Sequence, residues 1–336
     1  LLFFAKKCCR TNYLVRQPHL ELSISRQPLL KVRRGGYMKS LSVKKRRYSR
    51  HDLRGIVYIL PWLAGVLVFQ LYPFAYSFLL SFTDKSMSDT VNFIGLQNYI
   101  DIFTKDRDFW TNVEVTLKYV LMAVPGRVLF ALLVAVLLSS EIKGINFFRT
   151  VYYLPSIFGS SVAISIVWRF IFQKQGVINE FLQIFGVEPV NWLGDPDRAL
   201  FTICVIPIWQ FGSSMVLFLA AIKNVPRSLY ESAEIDGAGK WKNFIHITLP
   251  MISPIMLFNL LMQAIGCFQE FSTAFVLTKG GPNKATYLYG IKIYREAFTN
   301  FQMGYASALS WILFAAIMAA TGLIFLSSKK WVFYDD

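Results

Sequence analysis

The chain has 336 residues, of which 54% are hydrophobic and only 16% charged, with 30 Phe and a mean hydropathy of +0.43. Soluble domains average about 45–50% apolar and about 25% charged, so both departures point to lipid and exclude an ordinary water-soluble domain. The net charge of +15 does not argue for nucleic acid, because 15 of the 35 Lys and Arg precede Ile56 and the basicity is a property of the tail. The four cysteines, Cys8, Cys9, Cys204 and Cys267, lack a C-x-x-C spacing, so neither a disulfide framework nor a zinc site organises the chain, and no metal or cofactor is expected.

In chain order, residues 1–55 form a basic tail. Residues 1–37 are polar and aperiodic, and Arg33-Arg34-Gly35-Gly36 sits where a purine-rich ribosome-binding site, read in frame, would give Arg and Gly codons before Met38. Met38 is therefore the expected native first residue. Six apolar runs follow, each near the roughly 20 residues that cross about 30 Å of hydrocarbon: Ile56–Leu80, Val115–Leu138, Tyr152–Phe172, Ala199–Ile222, Ile252–Leu277 and Tyr305–Leu326. The expected fold is all-α, a polytopic membrane protein with a transmembrane domain over 56–328 and a C-terminal tail over 329–336.

An even number of spans puts both termini on one side. With that side cytoplasmic, the inside segments hold 23 Lys and Arg against 9 outside, or 15 against 9 when the residues before Met38 are discarded. Acidic residues gather outside at Asp84, Asp89, Asp101, Asp106 and Asp108. Cytoplasmic termini are expected.

The fourth interhelical loop, 224–250, is the most informative stretch. Asn224 can cap a short helix, Pro226 suits its first turn, and Gly237 and Gly239 can stop it; a second helical stretch from Lys240 leads through Ile247-Thr248-Leu249-Pro250 into the fifth span. The loop resembles the coupling motif of binding-protein-dependent ABC importer permeases: E-A-A, a Gly after three further positions, nine free positions, then I-x-L-P. Glu231, Ala233, Gly237, Ile247, Leu249 and Pro250 fall on that pattern, and Ser232 replaces one Ala with another small residue. Gly239-Lys240 is not part of a phosphate-binding loop, since Glu234 and Trp241 stand where such a loop needs Gly and Ser or Thr.

Four other segments resemble carbohydrate importer permeases: Phe93-Ile94-Gly95-Leu96-Gln97-Asn98-Tyr99, Phe148 through Pro155, Lys279-Gly280-Gly281-Pro282, and Phe301 through Ala308. The resemblance covers roughly Ile56 to Trp331, and the motif order is most similar to the first permease of a sugar, oligosaccharide or glycerol-phosphate system. It implies a type I ABC importer permease fold in a bacterial plasma membrane and a non-catalytic subunit. The implied partners are a second permease, two cytoplasmic ATPases, an extracytoplasmic solute-binding protein and a sugar, with no nucleic acid. Tyr230, Glu231, Ser232, Ala233, Asp236 and Gly237, with Ile247, Leu249 and Pro250, would then form the ATPase-coupling element.

Polar groups inside spans are costly in lipid and mark candidate solute contacts. These are Gln210 beside Trp209 in the fourth span, and Gln263, Gln269 and Glu270 beside Phe271 in the fifth. An aromatic ring with amide side chains suits a sugar, which has apolar faces ringed by hydroxyls; the alternative is that these residues join adjacent helices. Arg127 lies mid-span and needs a partner or a wet cavity, and Glu270, the one carboxylate in any span, is the expected partner. Lys118 and Arg169, nearer span ends, are expected to snorkel. A secondary transporter subunit and a permease for a non-sugar solute are the competing readings. An intramembrane enzyme is disfavoured because His19, His51 and His246 all lie outside the spans. Intact-mass measurement of protein made from its own gene is expected to show a chain beginning at Met38, and peptides from residues 1–37 would overturn that expectation.

Overall fold

The computed structural model describes residues 50–86, 91–140, 143–159 and 161–333. The expected tail before Arg50, Met38 within it, Asp89 and the last three residues lie outside them. Contacts divide the chain at Tyr58, and the helix packing and both candidate sites belong to the unit Ile59–Asp336. In chain order the helices are α1 Arg50–Val66, α2 Tyr72–Leu80, α3 Gln97–Thr104, α4 Phe109–Leu138, α5 Ile145–Ile157, α6 Val162–Ile171, α7 Val177–Ile184 and α8 Pro196–Trp209. They continue with α9 Gly212–Asn224, α10 Arg227–Ile235, α11 Lys240–Asn243, α12 Leu249–Met251, α13 Ser253–Phe268, α14 Ser272–Thr278, α15 Tyr289–Tyr294 and α16 Met303–Ser328.

The six apolar runs become six membrane-spanning segments, three of them broken. Tyr58–Leu80, Phe109–Leu138 and Met303–Ser328 are long enough to cross a bilayer unaided. The third span is α5 plus α6, the fourth α8 plus α9 with a 47° bend, and the fifth Lys240–Met251 plus α13 with a 65° bend. Proline explains much of this. Pro207 lies inside α8, and Pro250 and Pro254 flank the bend before α13, each removing a backbone donor. Pro73 and Pro250 also follow π-helical turns, Leu67–Leu71 and Phe244–Thr248, in which the N–H just before each proline reaches back five residues, from Tyr72 to Leu67 and from Leu249 to Phe244. The wider turn gives the ring room against the carbonyl four residues back.

The fifth span departs from expectation. The apolar run to Leu277 predicts one helix, but α13 ends at Phe268 and α14 is separate, packed on α6. The physical reason is Glu270: one carboxylate oxygen accepts the Thr273 N–H at 2.8 Å, starting a new helix where a hydropathy run sees continuity. The third span begins earlier than Tyr152, at Ile145, and the second begins at Phe109 rather than Val115.

The core is built on α4, against which α8, α9 and α13 pack. Ala123, Val124, Val128, Ala131, Val134 and Ala135 form its buried seam, and small side chains let helix backbones approach. At Gly126 an added Cβ would fall 2.7 Å from Ile208 Cδ1, so a larger residue at this crossing with α8 would push the end of the Ile208 side chain aside.

Polar contacts lock the N-terminal end of α4. Asn112 Nδ2 donates to the Tyr287 carbonyl at 2.6 Å, and Tyr289 N–H donates to Thr116 Oγ1 at 2.8 Å. Just before α4, Asp106 meets buried Lys292 at 2.6 Å and accepts from Tyr305 OH at 2.6 Å, tying α15 and α16 to this end. Burial works against the Asp106 charge, but the bonds from Lys292 and Tyr305 outweigh it and hold the carboxyl below its ordinary 3.8. A depressed folded pKa means the pair's stabilisation is intact above the ordinary carboxylate range and is lost as pH falls through the folded value. Replacing only one partner, Asp106→Asn, leaves the buried Lys292 ammonium to Glu296 at 3.9 Å and is expected to cost about 3 kcal/mol, while Asp106→Asn with Lys292→Met recovers most of it. Thermal unfolding of the detergent-solubilised complex near neutral pH measures both.

Candidate functional site

The loop after α9 folds as the short helix α10, a sharp turn, then α11. Asn224 does not cap α10 as its side chain would allow; it is the last residue of α9, and Pro226 occupies the N-cap position. The end of α10 is a Schellman turn: Gly237 N–H donates to the Glu234 carbonyl at 3.0 Å and Ala238 N–H to the Ala233 carbonyl at 2.9 Å. Gly237 has φ +73°, a left-handed conformation that costs side-chain-bearing residues about 1 kcal/mol, and an added Cβ would meet nothing within 4 Å. The requirement is one of backbone angle and not of space.

Glu231, Ser232, Asp236 and Gly237 lie exposed on this hairpin, with Ala233 partly covered. Tyr230 turns inward, and its hydroxyl shares a 2.8 Å hydrogen bond with buried Thr248 Oγ1, linking α10 to the π-turn that feeds α12. Ile247, Leu249 and Pro250 are half-buried beside it, and Tyr230, Ile247 and Leu249 pack against the main apolar cluster. A cavity of roughly 540 Å³ beneath the hairpin is lined by Val136, Lys223, Tyr230, Glu234 and Asn243 among others. Two apolar residues outside the motif stand out from this surface: Ile235 is 87% exposed and Trp241 75% exposed, one on each arm. Sequence reasoning passed over them. The available signal was a large apolar residue at the last turn of a short polar helix and another just past Gly239.

The second site lies among the spans. A cavity of roughly 80 Å³ is lined by Arg127, Gln210, Gln263 and Glu270, together with Tyr119, Gly266, Cys267 and Thr273. Four of the residues singled out by sequence thus meet at one place. The remaining three line other surfaces: Trp209 packs edge-on against Trp168 at 5.4 Å, Phe271 stacks on Phe275 at 5.1 Å and contacts Tyr294 at 4.8 Å, and Gln269 is exposed. Tyr119 and Thr273 were missed because neither residue type is unusual in an apolar run.

The expected Arg127–Glu270 ion pair does not form in this structure. Both line the cavity, but Arg127 Nη2 donates to the backbone carbonyl of Gln210 at 2.7 Å, and Glu270 holds the Thr273 amide. The reason is the break between α8 and α9. It frees the Gln210 carbonyl from helical bonding, and that orphan accepts from both Arg127 and Ser156 Oγ, the latter at 3.0 Å. Gln210 Nε2 donates to the Gly159 carbonyl at 2.6 Å and Gln263 Nε2 to Ser214 Oγ at 3.1 Å, so both amides join helices with one end and face the cavity with the rest. Lys118, expected to snorkel, pairs with Glu114 at 2.6 Å on the exposed side of α4.

Residues 107–332 match the family of binding-protein-dependent transport system inner membrane components. The chain belongs to this family. It is 43% identical over 299 residues to the probable ABC transporter permease protein YesP of Bacillus subtilis strain 168, covering 88% of this chain and 97% of that one. It is 32% identical over 299 residues to the lactose transport system permease protein LacF of Rhizobium radiobacter, covering 87% and 98%. A chain of a bacterial alginate ABC transporter, crystallised with an alginate pentasaccharide-bound periplasmic protein, superposes with a TM-score of 0.73 at 22% identity, over 84% of this chain and 96% of that chain. The inner membrane component is thus a multi-pass, non-catalytic permease with the ABC importer fold. Its hairpin is expected to depend on the Tyr230 hydroxyl: Tyr230→Phe leaves the Thr248 hydroxyl without that partner, at about 1 kcal/mol, and should speed hydrogen exchange of the α10 amides roughly fivefold. Unchanged exchange would show that the bond does not anchor the hairpin.

Proposed function

We propose that this permease carries a sugar or oligosaccharide across a bacterial plasma membrane by alternating access, with a second permease, two cytoplasmic ATPases and an extracytoplasmic binding protein as partners. The observation that carries the reading is the hairpin: a Schellman-terminated helix with Glu231, Asp236 and Gly237 on its outer surface, hydrogen-bonded through Tyr230 to the start of the fifth span. The lactose permease of Rhizobium radiobacter supports the sugar assignment. The excess of Lys and Arg on the hairpin's side of the membrane supports a cytoplasmic hairpin and cytoplasmic termini, with a basic tail over 1–55, the permease domain over 56–328 and a C-terminal tail over 329–336.

In this reading Glu231 offers a carboxylate to a basic group on the ATPase. Ser232 and Ala233 allow close approach, and Asp236, Ile235 and Trp241 widen the contact. When ATP closes the two ATPases, paired hairpins are drawn together, and the π-turn and the bend at Ile252 pass that displacement into α13. Solute then meets Gln210, Gln263 and Glu270 in the membrane, while Trp209, Gln269 and Phe271 line the wider path shared with the second permease.

Reconstitution of all the subunits in vesicles with labelled oligosaccharides tests the proposal. Uptake should require ATP and the binding protein, and uptake driven by an ion gradient without ATP would overturn it. Glu231→Lys and Gly237→Val should each cut uptake at least tenfold while leaving membrane insertion intact, the first by reversing the charge offered and the second by placing a β-branched side chain at positive φ. Normal uptake by both would show that the hairpin is not the coupling element.

A further inference from the structure

The cavity of roughly 540 Å³ beneath the hairpin falls in the range of about 300–1,000 Å³ typical of small-molecule sites. It lies where the second and fourth spans end, and Val136 and Ile222 from those ends, with Val225 and Phe244, give it an apolar wall. Its charged lining is Lys223, Arg227 and Lys240 against one carboxylate, Glu234. Arg227 has a contact of its own, but among the described residues no carboxylate lies within ion-pair distance of Lys223 or Lys240. Lys223 stands in the last turn of α9 and Lys240 opens α11, so two separate arms bring positive charge to one space.

A second observation restricts the ligand. Asn243 Oδ1, on the same lining, is buried without a hydrogen-bond partner. An amide oxygen can only accept, and so can the Glu234 carboxylate, so both call for a donor. A ligand made of acceptors alone would suit the lysines and oppose Asn243 and Glu234. One that carries an anion beside hydroxyls suits all four, and the apolar wall at the span ends suits a ligand with a hydrocarbon portion.

From this we infer that the cavity binds a phosphate ester of a polyol, the chemistry shared by the headgroup of phosphatidylglycerol and by soluble polyol phosphates. Phosphate oxygens accept from Lys223 and Lys240, and the hydroxyls donate to Asn243 and Glu234. Basic pockets between helix ends at the cytoplasmic surface are where anionic headgroups are held, and the acyl chains of the lipid form would run along Val136 and Ile222. A ligand that bridges α9 to α11 stiffens the joint beside the Tyr230–Thr248 bond, so its supply sets how firmly hairpin motion is passed to α13. The inference rests on the cytoplasmic hairpin proposed above.

The test places the complete complex in nanodiscs of phosphatidylcholine alone, or with part of it replaced by phosphatidylglycerol or by phosphatidylmethanol, which has equal charge and no hydroxyl. Hydrogen exchange is followed over residues 227–248. Phosphatidylglycerol should slow it about tenfold, the protection expected of a ligand at about ten times its Kd, and phosphatidylmethanol should do much less. Glycerol 3-phosphate, added to the phosphatidylcholine discs beside a sulfate control, distinguishes the sources: protection by phosphatidylglycerol puts the ligand in the membrane, and protection by glycerol 3-phosphate alone puts it in solution. Lys223→Gln with Lys240→Gln should abolish the protection. Size-exclusion yield checks assembly, and if that double variant fails to assemble, the comparison of the two anionic lipids on the wild type decides. Equal protection by both anionic lipids, protection by sulfate matching that by glycerol 3-phosphate, protection retained in the assembled double variant, or no protection by any probe would each overturn the inference. ATP-driven uptake by the same complex in vesicles reports separately on the import reading: uptake without protection removes only the polyol phosphate site, and no uptake in any lipid sinks the import reading itself.

Discussion

The hydrogen bond from Arg127 to the Gln210 carbonyl is the interaction on which the centre of this permease turns. Two features that would each be unfavourable in lipid meet in it: a guanidinium halfway along α4, and a carbonyl released where α8 breaks from α9. Each partly satisfies the other. Without the break the arginine would face closed helices whose carbonyls are already used, and without the arginine the broken backbone would rely on Ser156 alone. Irregular backbone at membrane depth is tolerated where it borders a polar cavity, and the cavity here lies beside the break.

The same logic orders the packing. Helices in lipid gain little from hydrophobic burial against one another, so they associate where backbones can come close and where polar groups find partners. The alanine and valine seam of α4 supplies the first, and α8, α9 and α13 use it. All three belong to broken spans, so the most tightly packed helix is surrounded by the segments able to bend. The other two continuous segments lie outside: in the most apolar window of each, 11% of α16 and none of Tyr58–Leu80 is buried, against 44% of α4. A rigid centre with jointed neighbours suits a protein whose cycle requires rearrangement without loss of its core.

Much of this was legible from residues alone. The six spans are visible because lipid demands length and apolarity, and the hairpin is visible because Glu231, Gly237 and Pro250 sit at a fixed, long spacing. What hydropathy cannot register is a break that costs no apolarity. Gln269-Glu270 is two residues in a long apolar run, and only the Glu270-to-Thr273 bond turns it into a helix start. The Arg127–Glu270 pairing failed for a related reason: charge complementarity in sequence takes no account of a backbone carbonyl as competitor, and that acceptor appears only after the chain breaks. Tyr230 shows the same limit on a smaller scale. Its place in the motif suggests an outward contact, while Thr248, 18 residues on, turns it inward. The buried Lys292 was invisible because a lysine in a polar loop looks solvated until Asp106, 186 residues earlier, is folded against it.

The two ends of α4 also differ in how they are held. At the N-terminal end the Asp106, Lys292 and Tyr305 group and the Asn112 bond connect segments remote in sequence through short, charged or buried contacts. At the C-terminal end, near the hairpin, a neutral hydroxyl pair, Tyr230 with Thr248, joins α10 to the span below it, Arg149 Nη2 donates to the Leu138 carbonyl at 2.7 Å, and a cavity of roughly 540 Å³ lies beside the hairpin. Charged, buried contacts are expensive to break singly, whereas a neutral pair with space around it can be remade after a small shift. The 47° and 65° bends are the joints at which the halves of the fourth and fifth spans can move relative to α4, and the Arg127 cavity lies beside the first of them.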